Sequence, residues 1–314
     1  MNDNILNPAP PGSFFDPEAL RTVWTQVDAD DEDALADLSF NRGVDFAVAG
    51  NRVWETDTYV YLPIVVDSKD GEVIQRQELT FALSHDHLVT LQPKIPFEIF
   101  DKGIARMRRT PMLAQSPQGV MYALLYAVNE SAERVVDFAS AALEDMTDEI
   151  TQATNGYDVR GRDIGVSDMR ETMARMNEAE EIVSRIQEAQ LELARAARHL
   201  LSETSDAPLV LLIETLAADI NGVKEHASFE HDKVRYLQQA IMTSLDIKQN
   251  QIVKVFTIIT AVFLPPTLIA TFYGMNFTHM PELAFEHGFL LTTLLTLVAA
   301  VIPLWYIKRK GWLR

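Results

Sequence analysis

Residues 252–276 read IVKVFTIITAVFLPPTLIATFYGMN, and residues 288–307 read GFLLTTLLTLVAAVIPLWYI. The first apolar run, Ile252 to Tyr273, is 22 residues long, about 33 Å as a helix and enough to cross a hydrocarbon core of about 30 Å. Its only charge, Lys254, lies at the start, where its ammonium can reach the interface. The second run is 20 residues long and carries no charge. Two such runs so close together would overload the core of a soluble protein of this size, so they predict two membrane spans. Pro265, Pro266 and Pro303 interrupt them, which membrane helices tolerate when neighbours satisfy the freed carbonyls.

The flanks set the direction. The connecting loop, Gly274 to His287, has no Lys or Arg, whereas the tail holds Lys308, Arg309, Lys310 and Arg314. The excess of positive charge predicts a cytoplasmic tail and an external loop. Two crossings then place the N-terminal part in the cytoplasm too. Trp305, Tyr306 and Trp312 are expected as aromatic anchors at the inner interface. Met1 to Phe15 is polar and proline-containing, and predicts no secretory signal.

Outside the spans the chain is a different material. Residues 1–250 hold 22 Lys/Arg and 43 Asp/Glu, a net charge of −21. Such a domain repels nucleic acid and anionic lipid and can attract cations, although solubility alone also accounts for it. There is no cysteine, which excludes disulfides and thiolate metal sites.

Residues 21–92 mix strand and helix signals. Thr58 to Val66 reads as a strand, Asp67 to Gly71 as a turn, Val73 to Leu83 as the partner strand and His87 to Leu91 as a third. These predict a small antiparallel sheet, with helices at Asp31–Leu38 and Pro96–Met107. From Pro117 the texture becomes helical. Gln118 to Thr154 is one long amphipathic pattern, broken at Asn155-Gly156. Ser167 to Ser202 is a second, and a third begins at Pro208 and meets no breaker except Gly222 before Pro265. That helix is expected to continue into the first span, and helices so long need lateral partners. The expected fold class is an α+β cytosolic domain with very long helices and two C-terminal transmembrane helices. The expected division is 1–116, an N-terminal α/β domain; 117–250, long cytosolic helices; and 251–314, the transmembrane part.

At 100° per residue, Asn250, Val253, Thr257, Thr260, Leu264, Thr267 and Thr271 share an arc of about 100° on the first span. Threonines on an apolar helix can satisfy their own backbone, pack against another helix or line water. The long helix and the adjacent Gly-Met-Asn loop favour water. Two spans are too few to enclose a passage, so a closed ring of identical chains is expected.

The stretch Asn250 to Lys254, Phe263-Leu264-Pro265-Pro266-Thr267, Tyr273-Gly274-Met275-Asn276-Phe277 and Met280-Pro281-Glu282-Leu283, with the basic tail Lys308-Arg309-Lys310, resembles the signature of the CorA family of divalent-cation channels. About 65 residues carry the likeness; the rest agrees in architecture. The resemblance implies a funnel-shaped homopentamer for uptake of Mg²⁺, often with Co²⁺ or Ni²⁺. It implies an outer selectivity ring of Gly274, Met275 and Asn276, pore-facing Asn250, Leu264 and Thr267, and a hydrophobic gate at Val253 and Phe256. Phe256 lies just outside the arc found from spacing. Mg²⁺ keeps its waters tightly, so a filter should read the hydrated ion, and the Asn276 amide oxygens suit that. Entry needs no ATP, because a divalent ion gains about 4.6 kcal/mol per 100 mV of inside-negative potential. In the family, Mg²⁺ between cytosolic subunits holds the pore closed; the ligands for it are not identifiable here, and Glu178, Glu180 and Glu181 read as a solvated helix face.

Where many family members have an acidic residue after Asn-Phe, this chain has Thr278 and His279. With Glu282, Glu286 and His287, that loop keeps open a zinc transporter of the same superfamily, since imidazole suits Zn²⁺, Co²⁺ and Ni²⁺. His226 and Glu230 share a helix face and His231 does not, a poor chelate with a structural role. A membrane-anchored helical scaffold is the alternative of another class. No nucleophile–base pair or metal triad suggests an enzyme, and no cofactor is expected beyond the transported cation. The expected setting is a bacterial or archaeal inner membrane, with both termini in the cytoplasm.

Overall fold

The computed structural model describes residues 15–50, 52–71, 73–93, 97–155, 166–275 and 285–311. The chain divides into two compact units, Met1–Gln238 and Gln239–Arg314.

In the first unit, helix α1 (Pro17–Val23) leads into strand β1 (Trp24–Asp28). Helices α2 (Glu32–Arg42) and α3 (Phe46–Ala49) follow, each capped by an aspartate: the Asp31 carboxylate accepts from the Ala34 amide and the Asp45 carboxylate from the Ala47 amide. Strand β2 (Trp54–Glu55) is short; β3 (Val60–Asp70) and β4 (Val73–Leu83) form an eleven-rung hairpin, and β5 (Leu88–Gln92) returns beside β4. The hairpin reverses at Gly71, whose φ of 60° favours glycine. The expected Asp67–Gly71 turn is therefore tighter than its sequence suggests, because the ladder continues to Asp70.

The sheet order is β1-β5-β4-β3-β2, and β1 pairs with β5 in parallel. This corrects the expectation of a purely antiparallel sheet. β1 is five residues long with polar Thr25, Gln26 and Asp28, too short for alternation to show, and its partner lies some 60 residues away. Beyond β2, the Val65 amide on the outer edge of β3 donates to Glu192 at 2.8 Å, which removes one open edge position.

Helix α4 (Ile99–Arg109) and a 3₁₀ turn (Pro111–Gln115) lead into α5 (Pro117–Asn155) and α6 (Val166–Ser202). Helix α7 covers Ala207–Tyr273 and α8 covers Gly288–Arg309. One core joins the sheet to the helices: Leu62, Ile64, Phe81, Phe100, Leu124, Leu193, Leu200, Ile213 and Leu216 belong to it. On α7, Leu209, Ile213, Leu216, Ile220, Val223, Ala227, Glu230, Val234 and Leu237 are buried, at alternating steps of four and three. That mean of 3.5 is the period of helices packed side by side.

Glu230 is the polar member of this stripe. It accepts a hydrogen bond of 2.9 Å from the Ser140 hydroxyl on α5, with Lys233 Nζ and His226 Nε2 each at 3.6 Å. Its geometry is that of a helix-to-helix contact.

Candidate functional site

The second unit inverts the first. Its apolar windows on α7 and α8 have mean hydropathies of 2.0 and 2.1, and 0% and 6% of them is buried. Phe256, Phe263, Leu264 and Leu268 are each at least 59% exposed. A core helix of a soluble protein would be covered; these helices are fitted to an apolar solvent.

Asn250, Val253, Thr257, Thr260, Leu264, Thr267 and Thr271 are all exposed, as is Phe256. The half-buried positions of the same stretch, Lys254, Ile258, Ala261, Val262, Pro265, Pro266, Ile269 and Tyr273, centre on the far side of the helix at 100° per residue. The α8 helix approaches that far side. A cavity of about 690 Å³ is bordered by Ile269, Ala270, Tyr273 and Gly274 of α7 and by Phe289, Thr292, Thr293 and Thr296 of α8. The threonine stripe thus faces away from the second span.

Every threonine of the stripe bonds to its own helix. The hydroxyls of Thr257, Thr260, Thr267 and Thr271 donate to the carbonyls of Val253, Phe256, Phe263 and Thr267 at 2.7, 2.9, 2.7 and 2.7 Å. Of the three explanations for such a stripe, the first is realised, and it has a consequence for the third. A hydroxyl has one donor and two acceptor lone pairs. With its proton committed to the backbone, each threonine presents an acceptor. Between them, Pro265 and Pro266 lack the N–H groups that would bond the carbonyls of Ala261 and Val262.

The α7 helix ends at the predicted loop. The Gly274 amide donates to the Ala270 carbonyl at 3.0 Å, and the Met275 amide to the Phe272 carbonyl at 3.4 Å. A Cβ on Gly274 would meet the Ala270 oxygen at 3.1 Å, so a side chain there crowds the helix end. Asn276, His279 and Glu282 lie outside the described residues. On the basic tail, Lys308 and Arg309 form the last turn of α8, where cations complement the helix dipole, and Lys310 caps it. The Arg309 guanidinium stands 5.3 Å from the Trp305 ring centroid.

The threonine face of α8 was missed from sequence. Thr292 and Thr296, one turn apart in the second run, were the available signal. Among the described residues no group of three or more His, Asp or Glu side chains is placed to hold a metal ion.

The model of the CorA-like Mg²⁺ transporter protein family matches residues 21–309. The chain belongs to the CorA family. The family's description is that of a transporter. It is 36% identical over 144 residues to a magnesium transport protein CorA of Pasteurella multocida, covering 46% of each chain. It is 27% identical over 271 residues to the Wolinella succinogenes protein of the same name, covering 83% of this chain and 79% of that one. The aligned part thus spans about half the length of most of the curated relatives first matched. The fold is similar to that of the complete CorA magnesium transporter from Methanocaldococcus jannaschii, with a TM-score of 0.72 at 19% identity over 93% of this chain and 92% of that one. Its architecture is that of the CorA fold: a sheet-bearing, mostly helical part followed by two C-terminal apolar helices.

Proposed function

We propose that this chain is one subunit of a Mg²⁺ channel that also passes Co²⁺ and Ni²⁺, and that five copies close around an axis lined by α7. Residues 1–116 and 117–250 form its cytosolic part and 251–314 its membrane part, with both termini in the cytoplasm of a bacterial or archaeal cell.

The observation that carries this reading is the acceptor-only threonine stripe on the side of α7 turned away from α8. A hydrated Mg²⁺ presents only water hydrogens outward, so it needs acceptors and no full charges. Rings of Thr267, Thr271 and Asn250 supply acceptors, and Gly274, Met275 and Asn276 form the outer ring. Val253 and Phe256, 55% and 67% exposed, give apolar rings that stop conduction by dewetting. The cation is cargo driven by membrane potential, and no resident cofactor is invoked. The relatives' names, magnesium transport proteins, support magnesium as the ion.

Purified protein in liposomes, with a set inside-negative potential, tests this directly. Mg²⁺ flux is expected, with Co²⁺ and Ni²⁺ also carried. Asn276→Ala should remove ion selection or flux. Thr267→Val, which keeps shape and loses the acceptor, should cut Mg²⁺ flux about tenfold. Zinc flux without magnesium flux would replace the ion in this reading. A monomeric protein whose vesicles pass no divalent metal would leave the membrane-anchored scaffold instead.

A further inference from the structure

A second cavity, of about 530 Å³, lies in the first unit beside the free edge of β1. Its walls come from Phe15, from α1 (Leu20, Arg21), from β1 and from α4 (Ile104, Arg108). The volume falls within the range of small-molecule pockets, about 300–1,000 Å³.

The charges on it are unusual for this chain. Residues 1–250 carry 43 carboxylates against 22 bases, and Arg76, Arg175 and Arg185 of this unit are each paired with a glutamate. Arg21 and Arg108 have no carboxylate partner among the described residues, and they reach the cavity from separate helices. Two free guanidiniums on one cavity, in a domain with carboxylates to spare, form a site for an anion with several oxygens.

The rest of the lining is apolar at one end and polar at the other. Phe15, Leu20 and Ile104 give a wall on which a flat ring can lie, with Arg108 5.7 Å from the Phe15 centroid. Gln26 gives the polar end. The Gln26 oxygen accepts from Gln92 Nε2 at 3.1 Å, which leaves its NH₂ group as a donor. Gln26 shares its face of β1 with Trp24, whose indole holds the strand through a bond of 3.0 Å to Thr90, while the Thr25 side chain turns to the other face and bonds His87 at 2.8 Å.

We infer that this cavity binds a nucleoside phosphate: phosphates on Arg21 and Arg108, the flat base along Phe15, Leu20 and Ile104, and the base edge read by Gln26.

The full-length protein in detergent is titrated calorimetrically with ATP, AMP and inorganic tripolyphosphate, in EDTA so that no metal bridges ligand and protein. Saturable ATP binding at one per chain is expected. The double variant Arg21→Gln/Arg108→Gln should bind at least about tenfold more weakly, and tripolyphosphate should bind wild type about tenfold more weakly than ATP does. Both arginines are exposed, so an unchanged melting temperature without ligand will show that the variant is folded. The absence of saturable heat up to roughly 10 mM ATP, or equal ATP binding by the double variant, would overturn the site. Tripolyphosphate binding as tightly as ATP would overturn the role of the apolar wall and of Gln26.

Discussion

Phe81 and Phe263 are the same residue under opposite conditions. The first is 0% exposed on β4, against Phe100; the second is 66% exposed on α7. The contrast holds across the units. Residues 1–238 bury their apolar side chains within sheet and helices and show charge outside. Residues 239–314 leave Phe, Leu, Ile and Val uncovered along two helices whose apolar windows are 0% and 6% buried. The near-zero mean hydropathy of the whole chain, −0.01, averages a water-fitted protein with a lipid-fitted one. Each apolar surface is placed according to its solvent: in water the chain must supply the cover, and in a bilayer the lipid or another helix supplies it.

The largest expected effect tests that contrast head on. Phe81→Ala removes a fully buried ring and should cost about 3–5 kcal/mol of stability, read by denaturant unfolding of the full-length protein in detergent. Phe263→Ala should cost well under half of that, because its ring contacts solvent in the isolated chain. Equal losses would mean that α7 is as tightly covered in the assembled protein as β4 is within one chain.

Backbone packing gives the next effect. A Cβ on Gly103 of α4 would meet the Ala123 carbonyl oxygen at 2.9 Å and Leu124 Cδ2 at 3.1 Å. Backbone cannot yield as a side-chain tip does, so Gly103→Ala should destabilise by about 1–3 kcal/mol through forced separation of α4 from α5. Thermal unfolding followed by far-ultraviolet circular dichroism measures it.

The same contrast explains what was legible in the sequence. The helices could be read nearly to the residue: Gln118–Thr154 against an observed Pro117–Asn155, Ser167–Ser202 against Val166–Ser202, and a start at Pro208 against Ala207. Long stretches average out single exceptions, and proline punctuates the starts of α5 and α7. Gly288 opens α8 as predicted, since 20 apolar residues admit no other element there. Short elements held by distant partners were not legible. β1 depends on β5, and β2 on two rungs with β3; neither has enough residues for a period of two to emerge. The arc from Asn250 to Thr271 followed from helical geometry alone. The hydroxyl protons did not: only placed side chains show that all four threonines donate to their own backbone and so present acceptors.

A smaller effect, on the order of 1 kcal/mol, comes from Asp67, a polar group inside the water-fitted unit. It is 2% exposed on β3, and neither carboxylate oxygen has a hydrogen-bond partner among the described residues. Burial raises its pKa above 3.8, with Arg76 and Arg185 opposing and Glu188 and Glu192 adding to the rise. A carboxyl that holds its proton more tightly when folded contributes most to stability below about pH 3.8, and loses that contribution as pH rises through its folded pKa. Asp67→Asn should therefore raise the unfolding midpoint at pH 7, and the gain should shrink steadily as the buffer is taken toward pH 4. A gain that did not vary with pH would assign the effect to shape and not to charge.

The smallest effect comes from the counterpart of Gly103. Gly222 lies inside α7, and a Cβ there would meet nothing within 4 Å. Glycine in a helix interior leaves the unfolded chain more freedom than alanine does, so Gly222→Ala should stabilise by about 0.4–1 kcal/mol wherever the space is truly open. The position lies within the stretch buried at alternating steps of four and three, next to Val223 but itself exposed. If the neighbouring copies of the proposed assembly leave that face in water, the full gain appears. If they pack backbone to backbone on it, the sign reverses and the assembly weakens. Unfolding of Gly222→Ala at high and low protein concentration separates the two, because only a change in association depends on concentration.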